Sequence, residues 1–250
     1  MTLAKLGGRQ PYAFAPDAAA PQPVPYSSAY LVLATDIAAT GSDITAWNDE
    51  SPAADTYSPV GAVPPPQLSS INGQAAPLLG ADDSFLGTVA TQAVFRSTGF
   101  EAFFVVQGTA SDGTNNYFDC GALLTGSDGW SAVGLTSTGV VAGYNGGTLG
   151  DVQVVDAVNI LDGSRHVVRA WYDAATSTLG IQVDARAAVT LVTGEPPRAI
   201  DAPALRVGRS WDLLRQYQGR LADWVYPYLS AGQRTQMYDF LEATYGVTGP

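Results

Sequence analysis

From Gly99 to Ser210 the chain is a succession of short apolar runs cut by turn-forming residues. In order they read GFEAFFVVQG, YFDCGALLTG, GWSAVGLTSTG, VVAGYNGG, DVQVVDAV, SRHVVRAWYD, STLGIQVD, AAVTLVTG and APALRVGRS. Each is rich in Val, Ile, Thr and aromatic residues and is closed by Gly, Asp, Asn or Ser at a spacing of about 8 to 12 residues. No segment of helical period lies between any two of them, which excludes strand–helix–strand units and predicts an antiparallel sandwich. No internal repeat of fixed period is present.

The segment YQGRLADWVYPYLSAGQRTQMYDFLEATYG, Tyr217 to Gly246, closes this series. Tyr217, Gly219, Leu221, Asp223 and Val225 alternate with Gln218, Arg220, Ala222, Trp224 and Tyr226, so both faces of an extended segment carry bulk and both are expected to be buried. Pro227 removes a ladder donor. Ser230 and Gln233 have the spacing of a capping box, which predicts a helix start. Met237, Phe240, Leu241 and Tyr245 then form an apolar stripe, and Gly246 suits the left-handed residue that ends a helix. A last strand followed by a docking helix implies a sheet with a lid.

Charged residues are only 14% of the chain and hydrophobic ones 46%, with 27 Gly and 16 Pro among 250 residues, which suits strands and tight turns and opposes a helical bundle. A formal net charge of −11 repels phosphate backbones and anionic membrane surfaces, so neither nucleic acid nor a membrane is an expected partner. With one cysteine, Cys120, no internal disulfide can form, and its setting in YFDCGALL reads as a small strand residue. The N-terminus lacks an apolar run of signal-peptide length and no segment reaches a membrane span, so synthesis in a cytoplasm is expected.

Residues 1–28 differ from the rest. Pro11, Pro16, Pro21, Pro23 and Pro25 lie among alanines, with Leu3, Leu6, Tyr12, Phe14 and Tyr26 spaced between them. Proline at this density forbids a helix or central strand and favours a polyproline-like path. A solvated tail would carry more charge and fewer aromatics, so the segment is expected to be an anchoring arm, able to reach roughly 80 Å if extended. The organisation expected is therefore an arm, 1–28, and one β domain, 29–250. Within the domain, Pro52 to Pro66 reads as a connection, and Asn72-Gly73 as a tight turn between extended pieces.

Trp47-Asn48-Asp49-Glu50-Ser51, Pro66-Gln67-Leu68, Ile71-Asn72-Gly73-Gln74-Ala75 and Gly80-Ala81-Asp82-Asp83-Ser84-Phe85-Leu86 follow one another in an order that resembles the opening of concanavalin A-like, laminin-G-like jelly-roll domains, above all those of bacterial and bacteriophage proteins. Asp162 to Val168 before Trp171-Tyr172-Asp173, and Thr178 to Asp184 after it, look like that family's central hairpin. The strand and helix from Tyr217 to Val247 resemble its close. The resemblance covers about residues 29 to 247 and implies two stacked antiparallel sheets, one concave. The family hosts lectins, adhesins, hydrolases and structural modules, so the fold does not fix the activity.

Glycoside hydrolysis needs two carboxylates flanking a sugar. The four glutamates, Glu50, Glu101, Glu195 and Glu242, share no strand spacing, and Glu101 has no acid at 99 or 103. His166 is the one histidine and no Gly-x-Ser-x-Gly elbow occurs, so it is expected to be a hydrogen-bonded structural residue. The same solitude removes zinc. Calcium needs only oxygen ligands, and Asp36, Asp43, Asp49, Asp82, Asp83, Asp112, Asn115, Asn116 and Asp119 fall in or near loops, but no spaced calcium loop is present and no ligand is assigned. Stacking and hydroxyl recognition of a sugar are within reach of Trp130, Tyr144 and Asn145, near strand ends. No catalytic set, metal or cofactor is expected.

These readings lead to two expectations of function. One is a structural virion protein of a tailed bacteriophage, a capsid decoration or a head- or tail-associated subunit. In it the arm binds other capsid or tail subunits through Leu3, Leu6, Tyr12, Phe14 and Tyr26, with homo-oligomers and host cell-surface glycans as further partners. The other is a carbohydrate-binding or adhesin module whose contacts are Trp130, Tyr144 and Asn145.

Overall fold

A computed structural model describes residues 21–61, 65–80, 83–88, 99–110, 122–123, 131–136, 139–145, 151–196, 204–207 and 217–249. After a 3₁₀ turn at Tyr26–Ser28, the strands in chain order are β1 (Leu31–Leu33), β2 (Ile37–Thr40), β3 (Asp43–Asn48), β4 (Thr56–Gly61), β5 (Gln67–Ile71), β6 (Gln74–Leu79), β7 (Asp83–Thr88), β8 (Phe100–Ala110), β9 (Ala122–Leu123), β10 (Ser131–Thr136), β11 (Gly139–Asn145) and β12 (Asp151–Asp156). There follow β13 (His166–Asp173), β14 (Thr178–Val183), β15 (Val189–Val192), β16 (Ala204–Val207), β17 (Gln218–Tyr226) and one α-helix, α1 (Ala231–Tyr245). Strands neighbour one another in the order β15-β14-β13-β8-β17-β6-β5-β3-β4-β7-β16-β9, with β1 beside β17 and β2 beside β3. A second sheet, β10-β11-β12, lies against β14 and β15. The chain is an all-β antiparallel sandwich with a single C-terminal helix among the described residues.

Alternation along the central strands separates two cores. Ala102, Phe104 and Val106 of β8, Val168, Ala170 and Tyr172 of β13, and Leu221 and Val225 of β17 meet Trp47, Tyr57, Phe85 and Val207 from the far half of the long sheet and Val140, Ala142, Val152 and Val154 of the smaller one. Because both halves of the strand path feed this cluster, the long sheet folds over onto itself to make the sandwich. Trp47 and Phe85 meet edge to face with ring centroids 5.2 Å apart. Each such fully buried large side chain contributes about 1.5 to 3 kcal/mol.

The alternate residues, Phe103, Val105, Val167, Ala222, Trp224 and Tyr226, face the helix, where Met237, Tyr238, Leu241 and Tyr245 are buried. The capping box forms as the sequence predicts: Ser230 accepts from the Gln233 amide, and Gln233 accepts from the Ser230 amide. Gly246 ends the helix in the left-handed conformation at φ 64°. Asn72 and Gly73, at φ 51° and 82°, make the β5–β6 hairpin turn.

Residues 21–29 run along this lid. Val24 is fully buried, its carbonyl accepting from the Tyr226 hydroxyl at 3.0 Å, and Gln236 Nε2 donates to the carbonyls of Gln22 and Pro23 at 3.2 and 3.1 Å. The end of the proline-rich segment thus packs on its own domain.

The stretch from Pro52 to Pro66 is more than a connection, because it holds β4. That strand pairs with β3 only at Tyr57 and Thr56, so Pro59 has a ladder neighbour, β7, on one side alone and its missing N–H is tolerated. Tyr57, fully buried, supplies the apolar anchor that draws this polar segment into the sheet.

Asp223 sits between Leu33 and Phe104 in the ladders of β17, is fully buried, and neither carboxylate oxygen has a hydrogen-bond partner. Burial first, and the charge of nearby Asp49 second, push its carboxyl well above the usual carboxylate range. A raised folded pKa makes this carboxyl's contribution to stability full below the unfolded value of about 3.9 and lost as pH rises through the folded value. Asp223→Asn does not titrate, so its melting temperature relative to the parent is expected to climb by several degrees between pH 4 and pH 8, followed by thermal melts. A constant difference across that range contradicts a neutral Asp223.

Candidate functional site

The resemblance motif at 47 to 51 is a lock within the fold. Asp49 Oδ1 accepts from the amides of Val32 and Ser51, both at 2.8 Å, and Oδ2 from the Ser51 hydroxyl at 2.7 Å. Glu50 Oε1 accepts from the amides of Thr35 and Asp36. These two acids fix the path from β1 to β2 against the loop after β3, through four backbone amides and the Ser51 hydroxyl.

His166, at the start of β13, is held between two carboxylates. Nδ1 lies 2.7 Å from Asp184 Oδ2 and Nε2 lies 3.1 Å from Asp162 Oδ1, while Asp184 Oδ1 accepts from the Val167 amide. Its side chain is 10% exposed against 46% for Asp162. The Asp184 contact above all raises the imidazole pKa, and the same ring pulls Asp162 below the ordinary carboxylate range. With both nitrogens engaged, the ring clamps the loop before β13 to the end of β14, the structural role expected of it.

The polar centre that sequence reasoning missed lies under the helix. Glu101, on β8, is fully buried. Arg169 Nε of β13 donates to its Oε1 at 2.5 Å, Arg234 Nε of α1 donates to the same oxygen at 2.6 Å, and Oε2 accepts from Arg234 Nη2 and from the Leu229 amide. Arg169 Nη1 reaches Gln182 Oε1, which also accepts from the Tyr238 hydroxyl, and Gln182 Nε2 donates to the Arg186 carbonyl. The Arg169 guanidinium lies 3.9 Å over the Trp171 ring. That ring spreads across Gly180 of β14, where any side chain would collide: a Cβ there falls 2.1 Å from Trp171 Cζ2. Glu101 was weighed in sequence only for an acidic neighbour two residues away. Its partners are cations 68 and 133 residues downstream. The one local signal was a glutamate inside the apolar run FEAFFVV.

Of the residues expected to touch a sugar, Tyr144 and Asn145 close β11. Tyr144 stands opposite Ser131 of β10 and Val152 of β12, and Asn145 opposite Asp151. Trp130 lies outside the described residues, as do Cys120 and Leu3, Leu6, Tyr12 and Phe14 of the arm. Tyr26 is half-buried against the helix-side core, and burial raises its phenol pKa. Among the described residues no three Asp, Glu, His or Cys side chains converge to hold a metal ion, and no helix is long and apolar enough to cross a membrane.

No family model and no curated protein matches the sequence. In three dimensions the chain is similar to the binding domain of Paraclostridial Mosquitocidal Protein 1, with a TM-score of 0.60 at 9% identity over 86% of this chain and 52% of that one. It is similar also to botulinum neurotoxin type C, whose uptake by cells is dependent upon interaction with two ganglioside molecules (TM-score 0.58, 13% identity, 88% of this chain and 52% of that one). A third is the binding domain of botulinum neurotoxin DC in complex with rat synaptotagmin II (TM-score 0.59, 13% identity, 88% and 52%). The chain spans about half the length of these structures, and at such identities the likeness is one of fold.

Two outcomes test the clusters. Glu101→Ala leaves two guanidinium groups beneath the helix without a counter-charge and is expected to cost about 3 to 5 kcal/mol in urea unfolding. For His166, a raised folded pKa gives stability that is full below the unfolded value of about 6.5 and is lost as pH rises through the folded one. The margin of the parent over His166→Gln is therefore expected to shrink above pH 6.5, by on the order of a degree or two in melting temperature since the carboxylate partners are partly exposed.

Proposed function

We propose that this domain is a non-catalytic carbohydrate-recognition module that reads its ligand near the end of β11 through Trp130, Tyr144 and Asn145. The observation that carries the reading is the fold likeness over 86% of the chain to a domain defined by binding, joined by a toxin that depends on gangliosides. The chemistry is suited to it: aromatic faces stack on the C–H face of a pyranose, and an amide satisfies hydroxyl groups in both senses. β11 is the middle strand of its sheet, so the backbone is held by ladders on both sides at 144 and by β12 at 145.

Two of the described acids, Glu101 and Asp223, are unsuited to hydrolysis. Glu101 is buried and saturated by two guanidinium groups and a backbone amide, and Asp223 is enclosed in the core. Neither is free to flank a glycosidic bond. The expectation of a virion subunit, with capsid or tail proteins held by the arm, finds no counterpart in the three similar structures named above. Recognition of a sugar is the reading they favour.

Immobilised protein presented with a broad glycan array is expected to retain a restricted set of oligosaccharides and to return them uncleaved by mass spectrometry. Trp130→Ala and Tyr144→Ala are each expected to weaken retention at least tenfold, the usual loss on deleting a central aromatic contact. An array on which the folded domain retains nothing overturns the proposal.

A further inference from the structure

The link between β17 and α1, Tyr226-Pro227-Tyr228-Leu229-Ser230, turns Leu229 into the helix-side core and Tyr228 outward, leaving its ring 37% exposed. One turn into the helix, the Arg234 guanidinium carbon lies 5.4 Å from the centroid of that ring. Its side chain is 21% exposed, so it is partly open to solvent.

The Arg234 donors are only partly used. Nε donates to Glu101 Oε1, and Nη2 donates to Glu101 Oε2 and to the Leu229 carbonyl. A guanidinium has five N–H groups, so the two on Nη1 are left without an acceptor among the described residues. The charge is likewise unmatched. Glu101 is the one carboxylate bonded to Arg169 or Arg234 among the described residues, so two cations share one anion and the cluster carries one net positive charge, in a chain whose formal charge is −11. Arg234 is also held in place by three bonds before any ligand arrives, so little side-chain freedom is lost on binding.

We propose that Tyr228 and Arg234 form a ledge for a carboxylated pyranose, its ring on the Tyr228 face and its carboxylate on the Nη1 edge. The inference rests on the carbohydrate-recognition reading and names a second contact zone and a sugar class. A neutral sugar leaves the spare charge unanswered, and a compact inorganic anion leaves the aromatic surface unused. A sugar acid engages both, because carboxylate oxygens match the spacing of guanidinium protons and the C–H face of the ring packs on an aromatic one.

The test is an NMR titration of the full chain with methyl β-D-glucuronide, methyl β-D-glucoside and acetate as probes. The glucuronide is expected to shift resonances of Tyr228, Leu229 and Arg234 and to bind at least tenfold more tightly than the other two. Tyr228→Ala, a surface change, and Arg234→Lys, which keeps the charge but loses the second edge, are each expected to weaken it at least tenfold. Should Arg234→Lys unfold, Tyr228→Ala decides alone. Glucuronide binding no tighter than acetate, or indifferent to Tyr228→Ala, overturns the ledge. Glycans retained through Tyr144 with no response at Tyr228 overturn the ledge and leave the recognition reading intact, whereas a bare array overturns the recognition reading even where the ledge responds to the glucuronide.

Discussion

β8 and β17 lie side by side through the middle of the molecule, in register from Glu101 opposite Tyr226 to Gly108 opposite Gly219, and both are buried on both faces. Such a pair cannot be stable on its own, because half of its apolar surface stays wet whichever face is covered. The two cores are consequences. One face is covered when the long strand path folds over and the β10-β11-β12 sheet closes on it; the other when α1 and residues 21–29 pack on Phe103, Trp224 and Tyr226. Trp224 and Tyr245 meet edge to face at 5.4 Å, and Phe103 and Tyr238 at 5.5 Å, so the helix is seated by aromatic contacts that fix its rotation as well as its distance.

This division decides how the buried charges behave. On the helix side, Glu101 has two cations and a backbone amide, and its burial is compensated. On the sandwich side, Asp223 has no donor and the neighbouring acid Asp49 opposes its ionisation. The same strand pair therefore carries one carboxylate that bonds β8, β13 and α1 together and another that fits its surroundings only as the neutral acid. The difference follows from which face each occupies: the helix brings Arg234 within reach of its own side, whereas the sandwich core is lined by Val, Leu, Tyr and Trp.

What could be read from the sequence was local. Alternation from Tyr217 to Tyr226, the Ser230/Gln233 cap, Gly246 and the Asn72-Gly73 turn each depend on residues within a few positions, and each stands in the structure where the pattern put it. The strand neighbours were not legible, because β8 and β17 are separated by more than a hundred residues and any apolar run satisfies the same alternation. β4 was hidden by proline, since composition registers five prolines from 52 to 66 but not that the partner strand is absent on the side where Pro59 lacks its donor. For the same reason the proline-rich leader could be read as extended but not as seated: the groove that holds Val24 is assembled from Tyr226 and the helix, two hundred residues on. The sugar-contact residues were chosen for being aromatic and near strand ends. That rule points to Tyr144 as a candidate and passes over Tyr228, whose interest comes from a guanidinium one turn away.

The link between Tyr226 and Ser230 ties these features to the proposed recognition. Its residues alternate in and out: Tyr226 anchors Val24, Leu229 gives its amide to Glu101 and its carbonyl to Arg234, and Tyr228 is left at the surface between them. A surface aromatic on a free loop would lose rotational and backbone freedom on meeting a ligand, and that loss would cancel much of the contact. Here the backbone on both sides of Tyr228 is already bound to buried groups, so the ring is presented at little entropic cost. The buried network below the helix, costly as a source of stability because three charges leave water, acts as a rigid mount for an exposed ring and a half-free guanidinium.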